Sequence, residues 1–429
     1  MAEKNIAIIG SGPGGLGLAY YLQKKSGYKI DVYEKSAAVG GLAKTMDIEG
    51  VKLEQFYHHI FTTDKYIIDL IKELGLEHEL KWYDDNTAVL FNDILYPFKS
   101  PLDLLKFAPL NPEDRIRMGA VLFYLTKTNN WKKLELSTAH EWMLKYAGRK
   151  GYETLWEPLL YGKFQHQAKS ITMSWLWARL KTRANSNGKL GYMNGSFDVF
   201  FNKLTQAVME KKGNFILNAD INLVDSIENK IRIAYSQKKG EEVIKEYDKV
   251  IITTPSKVYT SFLKGLSNEY IENVNAIEYL SAQTIVLTLN KSLTPYYWIS
   301  VNDKNLPALA VIEQTNLNGA YNNKHIIYIG NYLQNNDKVL SMNEDALKER
   351  YYPFLKKLNP LFEHDWVIDF KIFRAPFAQP IVDTSYHSHI PSFQSPIENI
   401  FIMNMSQVYP EDRGMNFAIK NALTLLEQL

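Results

Sequence analysis

The chain of 429 residues contains no cysteine. That absence excludes disulfides, thiolate metal sites, a cysteine nucleophile and a redox-active dithiol, so any redox chemistry must belong to a bound cofactor. An excess of charge of one sign is also lacking, because 49 Lys and Arg against 47 Asp and Glu leave a net charge of only +2. No run of five or more like charges occurs, and nothing global favours a nucleic acid partner. Long hydrophobic runs are missing too. Stretches such as residues 119–125 fall well short of the roughly 20 residues that a membrane-spanning helix needs. A strand pattern already under way at Asn5 leaves no room for a signal core. The expectation is a cytoplasmic protein with no metal site.

What is present is apolar material, 46% of the residues against 22% charged, enough for a large core and two interlocked domains. Residues 5–9 form an apolar run that stops at Gly10. Residues 14–25 then carry Leu16, Ala19 and Tyr20 at helical spacing, and residues 29–33 read as a second strand. Between strand and helix, Gly10, Gly12 and Gly15 spell GxGxxG within Gly10-Ser11-Gly12-Pro13-Gly14-Gly15. The three glycines serve a tight turn, close approach of a pyrophosphate to the backbone, and close packing of helix on strand. Backbone N–H groups at the helix start point at such an anion. Glu34 ends the next strand 24 residues after Gly10, where an acid accepts both ribose hydroxyls of an unphosphorylated adenosine. The order strand, glycine turn, helix, acid-tipped strand is far more specific than the turn alone, but it does not separate NAD from FAD.

Further along, Asp64 caps a helix with Ile67, Ile68, Ile71 and Leu74 on one face, stopped by Gly75. Residues 82–192 read as mostly helical and rich in tryptophan and tyrosine. Strand patterns return at residues 214–223, 230–235 and 249–253, and again at 282–289 and 325–332 as a second sheet. The chain closes with a strand at 399–403, a turn holding Pro410 and Gly414, and a helix over 416–426.

Glu34-Lys35 followed by Val39-Gly40-Gly41-Leu42-Ala43-Lys44-Thr45 resembles the second fingerprint of the flavin-dependent amine oxidase superfamily. That superfamily includes monoamine oxidases, protoporphyrinogen oxidase, phytoene desaturases and flavin-dependent UDP-galactopyranose mutases. Leu42 stands where many members carry arginine, and Lys44 is the nearest cation. Residues 214–223 with 247–255 resemble the superfamily's middle flavin-binding stretch, which brings in Ile221 and Thr254. Arg374-Ala375-Pro376, 399–403 and 409–416 are similar to its closing pattern, with the isoalloxazine ring against the start of the last helix. The resemblance implies FAD, held by Gly10, Gly12, Pro13, Gly14, Gly15, Glu34, Lys35, Gly40, Gly41, Leu42, Ile221, Thr254, Asp412, Met415 and Asn416. It also implies an α/β fold, with a Rossmann-like FAD-binding domain discontinuous over 1–81, 193–260 and 370–429. A mostly helical insertion (82–192) roofs the substrate, and a second-sheet substrate domain spans 261–369.

No second dinucleotide fingerprint for NADPH and no CxxC occurs, which disfavours a disulfide reductase. His59-Ile60-Phe61 is similar to the His-Ile-Phe of the mutases and implies His59 beside flavin N5, with a structural histidine as the alternative and His58 as the weaker candidate. Arg179, Lys181, Arg183 and Arg374 are candidates to hold an anionic substrate; for the first three a solvated helix face is the preferred reading. The leading function is an FAD-dependent oxidoreductase of the amine oxidase or protoporphyrinogen oxidase kind. It takes a hydride from a C–N or C–C bond of a small substrate and passes electrons to oxygen, a quinone or another acceptor. The alternatives are a redox-neutral isomerase of nucleotide sugars and a non-catalytic flavoprotein. Residues 96–99 and 102–109, ahead of a helix with Arg115, Arg117 and 121–125, mix apolar and basic side chains; a buried helix hairpin is the preferred reading, with a lipid surface as the alternative.

Overall fold

The computed structural model describes residues 4–25, 27–237, 240–319 and 321–429. Five parallel strands form its first sheet, in the order Asn214–Leu217, Tyr28–Glu34, Lys4–Ile9, Lys249–Ile252 and Ile400–Ile402. Their side chains alternate between two covered faces, which is why the strands read as near-continuous apolar runs. Ile6, Ile8, Ile30, Val32 and Ile251 pack with side chains of the helices Pro13–Lys24, Asp198–Glu210 and Met415–Leu426. Ala7, Ile9, Tyr33, Val250 and Ile252 pack instead against an antiparallel meander, Asp220–Ile227, Lys230–Ser236 and Glu242–Tyr247. Ile9 stands opposite both Tyr33 and Ile252, Ile252 opposite Ile402, and Glu34 opposite Leu217. The carboxyl ends of the strands are therefore flush, and the loops leaving them share one edge, where ligands of such sheets bind.

A second sheet of seven strands runs in the order Val367–Pro380, Tyr279–Leu289, His325–Leu333, Ala310–Glu313, Trp298–Val301, Thr87–Phe91 and Ile94–Pro97. Every residue of Tyr279–Leu289 is buried. One face packs on the helix Glu344–Leu358 through Ile285, Leu287, Leu347 and Tyr351; part of the other looks toward Leu42, which follows the second glycine pair. Residues 82–192 depart from the helical expectation at their start, because Leu80–Asp84, Thr87–Phe91 and Ile94–Pro97 are strands. Asn92 and Asp93 both take positive φ, the conformation of a two-residue hairpin turn that these residue types favour. Helices begin at Pro101 and run to Asn185, and their core holds Met118, Met143, Trp156 and a fully buried Trp175.

Candidate functional site

The first glycine turn is closed by two of its glycines and left open by the third. Gly10 has φ of 109°, and a Cβ there would lie 2.2 Å from Thr253 Oγ1. At Gly15 a Cβ would fall 2.1 Å from the Gly10 carbonyl oxygen, so helix and strand touch only because both side chains are missing. A Cβ on Gly12 would meet nothing within 4 Å. The helix that follows starts with Pro13, which needs no donor there, and has no side-chain cap. Gly14 packs on Met403 and Ala418. From the second glycine pair, Gly40 N–H donates to the Ser11 carbonyl at 2.9 Å, and Gly41 approaches so closely that its Cβ would lie 3.1 Å from Gly12 Cα. The two turns thus abut around the open space at Gly12.

Glu34 does more than tip a strand. Its carboxylate accepts hydrogen bonds from Ser11 N–H and Oγ at 3.2 and 2.5 Å and from Ser36 N–H and Oγ at 2.8 and 2.8 Å, so it also ties the first turn to the second strand. Lys35 points outward and pairs with Asp220 at 3.1 Å. Ile221 packs beside Tyr33 and Tyr235. Thr254 gives its carbonyl to Asn404 Nδ2 at 2.9 Å, while its Oγ1 is buried with no partner among the described residues. Met415 opens the last helix, which also lacks a side-chain cap, and Asn416 Oδ1 accepts from the N–H groups of Tyr66 and Ile67 at 2.9 and 3.3 Å. Open space at Gly12, two uncapped helix starts and a stranded threonine hydroxyl make a donor set that fits the phosphates and electron-rich ring edge of a flavin dinucleotide.

Beside these turns, a cavity of about 50 Å³ lies against the second sheet, lined by Leu42, Tyr57, His58, Thr284, Tyr332 and Arg413 among others. Gly330 admits the Tyr57 ring, since a Cβ there would sit 2.7 Å from it. His58 faces this cavity, whereas His59 turns into a box of Phe61, Tyr297 and Trp298, with Nδ1 3.0 Å from Tyr297 Oη. Successive side chains of an extended segment point to opposite sides, so the two histidines fall in different surroundings. His58 Nδ1 lies 2.6 Å from the Phe56 carbonyl. A carbonyl only accepts, so Nδ1 carries the hydrogen and Nε2 is left as an acceptor. Burial pushes His58 down to about 4, against the Phe56 bond and with help from Arg413. Burial, aided by Arg183, pushes His59 down to about 3.

A charged cluster adjoins the cavity. Asp412 Oδ2 accepts from Lys163 Nζ at 2.6 Å and from Arg179 Nη1 at 2.8 Å, and Oδ1 accepts from Trp175 Nε1 at 3.3 Å. Burial alone would raise the Asp412 carboxyl, but Lys163, Arg179 and Arg413 hold it well below the usual carboxylate range. Lys163 is pulled well below the ordinary lysine value by burial, against the attraction of Asp412 and with Arg179 and Arg413 adding to the effect. Arg413 donates to Tyr332 Oη, and its buried Nε has no partner among the described residues. Arg183 is satisfied by Asp85 at 2.7 Å and Thr87 Oγ1 at 3.1 Å.

Two sequence candidates for the substrate lie elsewhere. Lys181, two residues beyond Arg179 and so about 200° around the helix, donates to Thr128 O at 2.9 Å and to Asn129, over the Trp177 ring. Arg374 is paired with Gln283, between the cavity-lining Ala282 and Thr284, so it faces the opposite side of the sheet and donates to Met342 O at 2.6 Å. Sequence reasoning passed over Tyr57, Lys163, Tyr332 and Arg413. Arg413 had a signal in its place inside the 409–416 pattern, and Tyr57 in its place beside His58.

The sequence profile described as "Flavin containing amine oxidoreductase" matches residues 13–410. Coproporphyrinogen III oxidase of Bacillus subtilis (strain 168) is 28% identical over 188 residues, 40% of this chain and 39% of that protein. The first curated relatives that match are each covered over less than half of their own length. Among solved structures, an oxidoreductase from Methanosarcina mazei superposes with a TM-score of 0.76 at 15% identity, over 99% of this chain and 100% of that one. Reduced UDP-galactopyranose mutase gives 0.77 at 15% identity, over 100% and 95%. Both share the fold.

Proposed function

We infer the activity from one premise, that the chain belongs to the family of flavin containing amine oxidoreductases: it is an FAD-dependent oxidoreductase that takes a hydride from a C–N or C–C bond of a small, negatively charged substrate. When bound, the flavin supplies the hydride acceptor. Support for FAD comes from the open turn at Gly12 and from Glu34, an acid at a strand tip of the kind that accepts ribose hydroxyls.

One observation carries the sign of the substrate. Lys163, Arg179 and Arg413 confront the single carboxylate of Asp412, and Arg413 makes no ion pair among the described residues. A half-buried guanidinium with no ion pair of its own is free to take an anion, and a carboxylate or phosphate on the substrate would supply one. A protonated amine carries the wrong sign, since like charges ~5 Å apart repel by about 3 kcal/mol at an effective dielectric near 20. In this reading Arg413 and Arg179 orient the anion through their planar forks. His58, neutral at pH 7, offers Nε2 to a substrate N–H or O–H, while Tyr57 and Leu42 keep water out. Similarity to a coproporphyrinogen oxidase puts polycarboxylated porphyrinogens among the donors to try. The same surplus of positive charge suits a diphosphate, which favours a nucleotide-sugar isomerase as the second reading.

The test is an anaerobic titration of the flavin-loaded protein with carboxylated or phosphorylated donors, amines and UDP-sugars. Anionic donors are expected to bleach the visible flavin band. Arg413→Met should keep its flavin yet bind such donors about ten- to a hundredfold more weakly, the value of a charged hydrogen bond of roughly 1.5–3 kcal/mol. Bleaching by amines, with Arg413→Met unchanged, would overturn the reading. Perturbation by UDP-sugars without bleaching would shift it to the isomerase.

A further inference from the structure

The outer side of the helical stretch 101–150 carries a surface that the site does not use. On the helix Pro112–Lys127, Met118, Val121 and Leu125 face inward. Ile116, Ala120, Phe123 and Lys127 follow at spacings of three and four and so share the outward face. Ile116 and Phe123 are 67% and 66% exposed. The helix Pro101–Lys106 lies along one flank, fixed by Arg115 Nη1 on the Leu105 carbonyl at 2.7 Å, and it exposes Leu102 and Leu105. The helix Ala139–Ala147 lies along the other, where Arg117 holds the Tyr146 carbonyl at 2.7 Å and Tyr124, Trp142 and Tyr146 stack in sequence. Three neighbouring helices thus each expose apolar side chains to solvent.

Charge decides what covers them. Residues 101–150 contain nine Lys and Arg against five Asp and Glu in a chain whose net charge is only +2. Lys127 and Lys145 lay their stems over Phe123 and Tyr146, with Nζ 5.9 and 5.3 Å from the ring centres, the posture of lysines that bury methylenes beside an apolar layer and keep the charge at its rim. We propose that this three-helix face docks on the surface of an anionic lipid bilayer, with Ile116, Phe123 and their aromatic neighbours in the headgroup region and the lysines on the lipid phosphates. No helix of the described residues is long and apolar enough to cross a membrane, so attachment is peripheral and reversible.

Flotation of the full-length, flavin-loaded protein with vesicles tests this. Vesicles of phosphatidylcholine with about a third phosphatidylglycerol should carry the protein upward, pure phosphatidylcholine should not, and added salt should release it. Ile116→Asp and Phe123→Asp should each weaken binding at least about tenfold, because each removes one buried apolar side chain from the interface. Both positions face solvent, so folding and flavin content should be unchanged. Ile368→Asp, exposed on the second sheet, should float as the parent does. Absence of binding to the anionic vesicles, or equal binding by the two aspartate variants, overturns the proposal. So does a dimer in sedimentation that dissociates on Phe123→Asp, which would make a second copy the occupant.

Discussion

Glu54 shows what a single buried carboxyl does to the whole fold. It is 1% exposed and accepts hydrogen bonds from Tyr192 Oη at 2.7 Å and from Phe197 N–H at 2.8 Å. Burial pushes it up to about 7 from an ordinary 4.5, although both bonds pull the other way. The folded protein therefore holds this proton more tightly than the unfolded chain does. Its contribution to stability is complete below about pH 4.5 and is lost as pH rises through 7, at about 1.4 kcal/mol per pH unit. Glu54→Gln keeps the shape and removes the titration. In urea unfolding at pH 5 and pH 8, the variant should gain about 2 kcal/mol on the parent between the two. A difference that does not change with pH would mean that Glu54 ionises as an exposed carboxylate does.

The strand, glycine turn and helix at the start of the chain form an element in which three glycines are not equivalent. Gly12 has extended backbone angles, φ −67° and ψ 175°, and open space beside it. Gly12→Ala should therefore fold as the parent does and lose flavin, because the new methyl group occupies the space assigned to the pyrophosphate. Gly15→Ala forces a Cβ to 2.1 Å from a backbone oxygen and should cost at least the roughly 1–3 kcal/mol typical of overpacking. Thermal melts of the flavin-stripped variants, with flavin content measured separately, distinguish the two effects. Gly12→Ala that keeps the parent's flavin affinity would move the phosphates elsewhere. The π-helical turn Tyr152–Trp156 precedes Pro158, which lacks the N–H an α-helix would use. Asn302 Nδ2 donates to the Thr154 and Leu155 carbonyls at 3.1 and 3.0 Å. That local rewinding sets the rotation of the helix Glu157–Phe164, and hence where Lys163 points.

At the scale of the molecule, the proposed cofactor site draws on residues 10–15, 34–42, 254 and 412–416, so a dinucleotide would bridge segments from both ends of the chain. A ligand that binds only the folded state stabilises it by about 2.7 kcal/mol at a hundredfold excess over Kd. FAD should raise the melting temperature of the stripped protein accordingly. FMN should raise it far less, because it lacks the adenosine that Glu34 is proposed to hold. Equal shifts for the two flavins would mean that the ribose acid is misassigned.

The amino-acid sequence by itself settled what depends on near neighbours in the chain. Apolar runs of Lys4–Ile9, Lys249–Ile252 and Ile400–Ile402, the glycines of the first turn and the acid closing Tyr28–Glu34 all follow from local backbone chemistry and period. The hairpin around Asn92 and Asp93 was equally local, but its short strands were hidden by the helical residues that follow. What folding alone could settle is which side chains share a face across long separations. Lys163 and Asp412 meet over 249 positions, and no periodicity in either segment announces it. His58 and His59 differ by one residue, Arg179 and Lys181 by two, and Arg374 sits one register position from the cavity-lining rows. A strand flips its side chains at every residue, and a helix turns them by about 100°. Choosing the inward member of each pair therefore requires knowing where the cavity is, and that is fixed only when the second sheet closes against the segments that hold Leu42, Tyr57 and Arg413.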